Sequence, residues 1–241
     1  MIYLLARSTP LVALVALLLV GATAQQEPIA EPLGKPTTWQ QKEHGKLFRS
    51  YRGPGKLTQA EPGKDISVLV GGEAPVRPYG PNYTRPSAHL SRISCSSDAI
   101  VIGTLTDQVS ALTEYENFIF TDATFIVESI LKNNDRQTIR QGAEIVVTRP
   151  GGQLRMQGRW IRAEDNNFQR FQLRRRYVLY LRFIPATGAY QAFADRSFEL
   201  GPQNFRRLTK FPLWNESAFP VSALDSFLSE VRFALTLTCP E

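Results

Sequence analysis

Residues 94–105, SCSSDAIVIGTL, contain one of the two cysteines of the chain and the start of a run of β-branched residues. Residues 98–108 predict a strand, because β-branched side chains fit a pleated, half-buried surface. Cys95 directly precedes this strand. Four roles are open to it: nucleophile, metal ligand, lipid anchor or half of a disulfide. The choice among them decides how the rest of the chain is interpreted.

The first 24 residues have the pattern of a secretory signal peptide. Arg7 supplies a positive charge, residues 11–20 form an unbroken apolar run, and Ala22-Thr23-Ala24 predicts cleavage after Ala24. The apolar run is about half of the ~20 residues that a membrane-spanning helix needs. No cysteine lies near the cleavage site, which argues against an acyl-cysteine anchor. We expect a secreted or periplasmic protein with no stable membrane insertion after cleavage.

Export would place Cys95 and Cys239 in an oxidising compartment, where disulfides persist. Two cysteines permit one intramolecular pairing. A cysteine nucleophile needs a nearby base, and the two histidines, His44 and His89, both precede Cys95 in sequence that indicates no such site. A zinc site needs three or four ligands at a spacing that the chain does not show. We therefore expect a Cys95–Cys239 disulfide rather than free thiols.

The segment that follows the signal peptide has the composition of a linker. Residues 25–88 contain 9 Pro and 8 Gly among 64 positions, and their apolar residues follow no period. Such a segment cannot bury enough apolar surface to offset its ordering entropy. It predicts a disordered arm, in which residues 65–70 could form a short strand or dock on the domain. Residues 89–241 are long enough to form one core and are expected to be the folded domain.

Within the domain, runs of β-branched and aromatic residues end at turn residues. They predict strands over residues 98–108, 119–130, 144–148, 177–184 and 189–194, with a hairpin or irregular strand over 154–162. The alternation in 119–130 is imperfect, which predicts a bulge near residues 121–123. The run 177–184, YVLYLRFI, is the clearest central strand.

Residues 222–236 predict a closing helix that Ser222 caps. Its apolar residues repeat at helical spacing: Leu224, Phe227, Leu228, Val231 and Leu235. Strands joined by short turns with one helix predict a mainly β protein, a small closed or partly open barrel. A Cys95–Cys239 bond would pin the helix to the start of this barrel. It closes a loop of about 145 residues, which stabilises the fold by up to ~5 kcal/mol.

The domain resembles a group of exported bacterial proteins of unknown function. The shared pieces are residues 97–103, SDAIVIG; a Thr-led strand from Thr121 to Lys132; Pro150-Gly151-Gly152; and residues 177–181, YVLYL. The departures are Asn133, where the pattern has Gly, and three arginines at 174–176, where it has a Gly-Glu turn. The layout, with a cysteine before the first strand, a β-barrel and a cysteine after a closing helix, also resembles the OB-type netrin-like domain of metalloproteinase inhibitors. Their free amino-terminal cysteine is not matched by Cys95, so the resemblance implies the fold and not the inhibitory activity.

An arginine-rich stretch is the best candidate for a functional surface. Between residues 149 and 176, eight arginines stand against Glu164 and Asp165, a net charge of +6. Guanidinium groups suit phosphate, sulfate or carboxylate ligands, and aromatic rings suit bases or sugars. The candidate residues are Arg149, Arg155, Arg159, Trp160, Arg162, Arg170, Arg174, Arg175 and Arg176. The alternative is a solvated hairpin whose charges prevent edge-to-edge pairing.

Other motifs favour structural interpretations. Pro150-Gly151-Gly152 lacks the lysine and the following helix of a phosphate loop and predicts a turn. Glu164 and Asp165 are adjacent, so on a strand they would face opposite ways. A hydrolase would need His89 to meet a serine, and no nucleophile elbow is present.

We expect a non-enzymatic interaction module with no cofactor and no metal. Its expected partner is an anionic polymer or an envelope protein. Nucleic acid is a less favoured partner, because the protein is expected to be exported. The alternatives are a purely structural envelope protein and a hydrolase that uses His89 or the Glu164–Asp165 pair.

Overall fold

A computed structural model describes residues 34–51, 53, 55–59, 64–70, 85–156, 158–210, 212–214 and 223–239. The predicted signal peptide and the capping residue Ser222 lie outside these ranges. The described residues form three α-helices: α1 (Trp39–Lys46), α2 (Pro86–Cys95) and α3 (Leu224–Thr236). They also form ten strands: β1 (Ile66–Val70), β2 (Ala99–Leu112), β3 (Ile119–Lys132), β4 (Glu144–Pro150), β5 (Gly152–Met156), β6 (Arg159–Asp165), β7 (Arg176–Ile184), β8 (Ala189–Gln191), β9 (Ser197–Leu200) and β10 (Phe205–Arg207).

Five of these strands close into a barrel. Their order is β2-β3-β4-β8-β7, and β7 pairs again with β2. The β4–β8 pairing is parallel, and the other four are antiparallel. This is a five-stranded Greek-key barrel of the OB type. The prediction of a mainly β protein with a small barrel and a C-terminal helix is confirmed.

Strand β7 shows why the central strands could be predicted from the sequence. Tyr177, Leu179 and Leu181 point into the barrel and are fully buried. Val178 and Tyr180 point outward and pack under α2 and α3. Both faces of the strand are therefore covered, and a continuous apolar run results.

The bulge predicted near residues 121–123 is wrong. Residues 119–124 of β3 pair in steady register with β2, and the irregularities lie elsewhere, at Ile100/Val101, Ile102/Gly103 and Leu105/Asp107 of β2. The alternation is imperfect because both sides of this end of β3 are covered. Phe120 packs under the segment that follows α1, with its ring 5.8 Å from that of Phe48. The Thr121 hydroxyl donates to the carbonyl of Gly151 at 2.7 Å.

Part of the predicted disordered arm is ordered, which corrects that prediction. Helix α1 begins with a capping box between Thr38 and Gln41, and β1 pairs in parallel with β6, as one of the two options for residues 65–70 anticipated. Helix α2 begins at Pro86, before the predicted domain boundary. Helix α1 has one apolar side chain, Trp39, and it is held by contacts with β2 and β3 of the barrel. Composition alone therefore underestimated the order of these pieces.

Strands β1, β6 and β5 form a second sheet in that order. Two glycines with a left-handed backbone connect the strands of this sheet. Gly151 (φ +80°) lies between β4 and β5, and Gly158 (φ +76°) lies in the turn between β5 and β6. Pro150 ends β4 and Gly152 begins β5, so the predicted turn is instead a change of direction at Gly151, where the chain passes from the barrel sheet to the second sheet. The inner side of the sheet packs Leu154, Ile161 and Ala163 against the β2–β3 hairpin.

Cys95 and Cys239 are bonded, with their Cα atoms 5.5 Å apart, so the predicted pairing is confirmed. Cys95 is the last residue of α2, and Cys239 follows α3. The bond therefore joins two packed helices, whereas the sequence predicted a link from a helix directly to a strand. The predicted apolar face of α3 packs on the barrel through Phe227 and Val231. Among the residues described, no helix is long and apolar enough to cross a membrane.

Candidate functional site

The structure does not bring the eight candidate arginines to one surface. Arg149 and Arg159 are almost completely buried. Arg174, Arg175 and Arg176 are exposed just before or at the start of β7, in the barrel sheet. The remaining three belong to the second sheet or contact it: Arg155, Arg162 and Arg170. The predicted single face is therefore split into three environments.

Arg149 has a structural environment. Its guanidinium donates to the carbonyl oxygens of Pro150 and Gln169, each at 3.0 Å. It also lies 4.9 Å from the ring centre of Phe168 and 5.6 Å from that of Phe171. Burial lowers the pKa of Arg149 to about 10, so the group remains charged at neutral pH. It fastens β4 to the loop after β6 and is not available to a partner.

The arginines near β7 are also partly engaged. Arg176 forms an ion pair with Glu128 at 2.8 Å, and Glu128 in turn accepts a hydrogen bond from Thr104. Arg174 has a left-handed backbone (φ +62°), and its amide donates to the carbonyl of Leu105 at 2.8 Å. These three arginines form the turn that leads into the barrel.

The outer face of the second sheet retains the basic and aromatic character that the sequence predicted. Trp160 and Arg162 alternate with the buried Ile161 and Ala163, so they point away from the core. In the antiparallel register Arg155 lies opposite Trp160, and on the other side Leu69 of β1 lies opposite Glu164. We call this surface the outer sheet face; it comprises Leu69, Gln153, Arg155, Trp160, Arg162, Glu164 and Arg170.

Hydrogen bonds fix one arginine on this face. Arg170 donates to Gln153 at 2.9 Å and to Glu164 at 2.8 Å. Arg155 and Arg162 are exposed, and neither guanidinium is bonded to a carboxylate among the residues described. Three guanidinium groups stand against one carboxylate, so the face is positive. Leu69 adds an apolar side chain that is 62% exposed.

The Glu164–Asp165 pair faces two ways, as alternation predicted. Glu164 is exposed beside Arg170, and Asp165 is buried. Asp165 accepts hydrogen bonds from the Tyr51 hydroxyl at 3.0 Å and from the Asn167 amide at 2.7 Å. The two carboxylates cannot act together on one substrate, so this version of the hydrolase hypothesis is not supported.

The structure also contains a cleft that the sequence did not predict. A cleft of about 520 Å³ lies between α1, strands β3 and β4, and the β7–β8 turn. Three of its lining side chains are hydrogen-bonded in a chain. His44 Nδ1 is 2.9 Å from Asp122 Oδ1, and His44 Nε2 is 2.8 Å from Thr187 Oγ1. We call this feature the α1 cleft.

The sequence offered little signal for this cleft. Asp122 lies 78 positions after His44, and Thr187 lies 143 positions after it. No local spacing connects these residues, and His44 lies in a segment whose composition predicted disorder. The Thr38–Gln41 capping box was the one local indication that His44 belongs to a helix.

His89, the histidine that the sequence favoured as a base, lies in a different environment. It is a residue of α2, and its side chain is fully buried with its ring centre 6.3 Å from that of Trp214. Its Nε2 atom is 3.2 Å from the backbone carbonyl oxygen of Asp195. Burial lowers the pKa of His89 to about 4. A histidine placed in this way serves packing and not proton transfer with a substrate.

No family model matches the chain, and no curated protein matches it significantly. The resemblance to exported netrin-like proteins therefore stays a prediction. Among the described residues, no three or more His, Cys, Asp or Glu side chains are grouped so that they could hold a metal ion. The functional argument rests on the outer sheet face and the α1 cleft themselves.

Proposed function

We propose that the protein is an exported binding module that recognises an anionic polymer through the outer sheet face. The observation behind this proposal is the juxtaposition of three exposed or half-exposed arginines with Trp160 and Leu69 on one side of one sheet. Guanidinium groups recognise sulfate, phosphate and carboxylate through paired hydrogen bonds. An adjacent aromatic ring offers a stacking surface for the repeating units of a polymer.

The fixed position of Arg170 supports a recognition role. Its two hydrogen bonds, to Gln153 and Glu164, hold the guanidinium against the sheet, so little side-chain entropy remains to be lost on binding. Strand geometry fixes the side chains of Arg155 and Arg162 on the same side. A surface that only repelled other sheets would need charge but no such ordering.

The proposed compartment follows from the sequence and agrees with the disulfide. The predicted cleavage after Ala24 would release the chain into an oxidising compartment, where a Cys95–Cys239 bond persists. Such compartments contain sulfated, phosphorylated or carboxylated polymers that fit a positive face.

The test is retention on immobilised heparin, a sulfated polymer, as a function of salt. The variant carries Arg155→Gln and Arg162→Gln. The matched control carries Arg175→Gln and Arg182→Gln, which remove the same charge from exposed positions on the barrel. We expect the slope of log affinity against log salt to fall by about two in the variant, because two phosphate-like contacts are lost.

The control should keep the slope of the parent protein. Equal losses in variant and control would show that net charge alone causes retention. An absence of salt-dependent retention in the parent protein would leave the purely structural role as the better description. Either result overturns the proposal.

A further inference from the structure

We propose that the α1 cleft is a second functional site, in which Thr187 is the nucleophile and His44 the general base of an ester-cleaving reaction. This activity goes beyond the binding function and does not depend on it. It rests on the chain Thr187–His44–Asp122 and on its exposure to a cleft of about 520 Å³.

For a neutral imidazole, one tautomer satisfies every member of the chain. An ionised Asp122 can only accept, so His44 Nδ1 carries the proton and donates to it at 2.9 Å. His44 Nε2 then has a free lone pair, which accepts the hydroxyl proton of Thr187 at 2.8 Å. The same hydroxyl oxygen accepts from the amide of Ala189 at 3.3 Å. A hydroxyl, an imidazole and a carboxylate in this order are the arrangement that activates an oxygen nucleophile.

The barrel holds the nucleophile in place. Thr187 lies in the turn between β7 and β8, and the amides of Thr187 and Gly188 both donate to the carbonyl of Ile184, at 3.1 and 3.0 Å. Gly188 adopts a left-handed backbone (φ +71°) that closes the turn. Thr187 is partly exposed and lines the cleft.

The base and the orienting carboxylate are held more deeply. Only 2% of the His44 side chain is exposed, and 14% of that of Asp122. Asp122 is in the regular part of β3, paired with Val109 and Thr148. Gly45 lets α1 approach the sheet, because a Cβ atom there would come within 3.3 Å of the Phe120 ring. The imidazole is therefore fixed before any substrate arrives.

Gln137 borders the turn that contains Thr187. A Cβ atom on Gly188 would lie 3.1 Å from Gln137 Oε1 and 3.7 Å from Nε2. Gln137 also lines the cleft, so its side chain lies between this turn and the space open to a substrate.

The lining indicates the substrate class. Uncharged amide and hydroxyl side chains alternate with aliphatic ones, among them Gln40, Thr124, Thr138, Val109 and Ile139. Arg140 and Glu144 contribute opposite charges. Such a surface suits a neutral ligand rich in hydroxyl groups. The cleft also lies on the second and third barrel strands and the loop between the fourth and fifth, where OB-type barrels take oligosaccharides. We infer an O-acyl ester of a neutral carbohydrate.

The reaction balances without a further reagent except water. Thr187 Oγ1 attacks the ester carbonyl carbon, and His44 Nε2 takes the hydroxyl proton. The bond from that carbon to the sugar oxygen breaks, and the sugar oxygen takes the proton from His44. A water molecule, which gives a proton to His44, then cleaves the acyl-threonine ester. The carboxylic acid leaves, and Thr187 recovers its proton.

The first test uses a fluorophosphonate, whose phosphorus forms a bond to an activated hydroxyl while fluoride leaves. The full chain is treated with the probe, and the adduct is located by peptide mass spectrometry. Hydrolysis of p-nitrophenyl acetate is measured in parallel. The variants are Thr187→Val, Thr187→Ser and His44→Gln. Thr236→Val is the matched control, because Thr236 is exposed at the end of α3 and does not line the cleft.

We expect one adduct, on Thr187, and a loss of hydrolysis of at least about 10²-fold in Thr187→Val and His44→Gln. Thr236→Val should retain both, and Thr187→Ser, which keeps a hydroxyl group, should still form the adduct. Thr187 lies in a partly exposed turn, so Thr187→Val should fold even if His44→Gln does not. An adduct at another residue, or full hydrolysis in Thr187→Val, overturns the proposal.

The second test concerns the substrate class. Acetate release from acetylated xylo-oligosaccharides is compared with release from p-nitrophenyl acetate. A higher kcat/KM for the oligosaccharide supports the carbohydrate ester, since more of the cleft is then in contact with substrate. An equal or lower value overturns that assignment.

Discussion

His44 and His89 are both buried, yet the two regions that bury them differ in kind. His44 lies between a carboxylate and a hydroxyl at the wall of the α1 cleft. His89 belongs to α2 and lies beside Trp214 and a backbone carbonyl. Both rings are held rigidly, but only His44 connects a group that can react with a group that can orient it.

This difference shows that burial by itself does not indicate a catalytic histidine. Burial near apolar groups makes the charged form costly, which is the case for His89. Burial between Asp122 and Thr187 instead gives each ring nitrogen a defined role. Variants that change the environment of one histidine and leave that of the other intact can therefore test separately whether His44 is a base and whether His89 is structural.

The largest effect is expected from Asp122→Asn. The amide can no longer accept the Nδ1 proton as a carboxylate does, so His44 loses its orientation as a base. A triad in which this carboxylate is replaced by an amide retains its geometry but reacts about 10⁴-fold more slowly. The measurement is the rate of fluorophosphonate labelling as a function of probe concentration, with Asp135→Asn on an exposed loop as the control.

The same titration separates positioning from structure. A positioning role lowers the maximal labelling rate and leaves the probe concentration for half-maximal rate unchanged. If Asp122→Asn changed only that concentration, Asp122 would shape the cleft and not the reactivity. In that case the two histidines would be equally structural.

The second largest effect concerns His89 and the pH dependence of stability. In the unfolded chain His89 takes up a proton near its ordinary pKa of 6.5, and in the folded chain only near pH 4. The unfolded state therefore binds more protons between these values, and the free energy of unfolding falls as the pH falls through this window. We expect this group to remove roughly 3 kcal/mol between pH 7 and pH 4.

Urea unfolding of the parent protein and of His89→Gln at both pH values gives the contribution of His89 as a difference. The variant should be less stable at pH 7 but should lose less stability on acidification. Parallel losses in the two proteins would mean that His89 does not titrate in this way. Labelling of Thr187 should be unchanged in His89→Gln, which keeps the two regions separate.

The smallest effect is expected from a pair of glycine substitutions. Gly188 and Gly142 both have a left-handed backbone, with φ of +71° and +80°. Alanine at either position should cost about 1 kcal/mol of stability in thermal unfolding. Only at Gly188 does the added methyl group meet Gln137, beside Thr187. We expect Gly188→Ala to slow labelling about tenfold and Gly142→Ala to leave it unchanged; equal rates would place the turn outside the reactive geometry.

The sequence predicted what depends on local pattern. The barrel strands were visible because residues such as Val178 and Leu179 are covered on opposite sides, and the pairing of Cys95 with Cys239 had no competitor. Segments whose burial is supplied by a distant surface were not visible. Helix α1 is the main example, because its contacts lie on β2 and β3.

The sequence contained a signal that Arg149 and Arg159 do not belong to the predicted arginine-rich face. Arg159 shares the parity of Ile161 and Ala163 along β6, and Arg149 shares that of Ile145 and Val147 along β4. Alternation in a strand therefore assigns both arginines to the inner side. By contrast, the meeting of His44, Asp122 and Thr187 depends on tertiary packing, and no spacing along the chain encodes it.

The parallel pairing of β1 with β6 determines when the second sheet can form during synthesis and folding. Ile66 pairs with Ile161, 95 positions later in the chain. During synthesis β1 is therefore made long before β6, and it has no strand to pair with until β6 has been made. Long-range pairings of this kind form late in folding. The outer sheet face, which joins Leu69 to Arg162 across that pairing, consequently exists only on molecules whose central region has been made and folded, so a partner that binds there selects finished protein over unfinished chains.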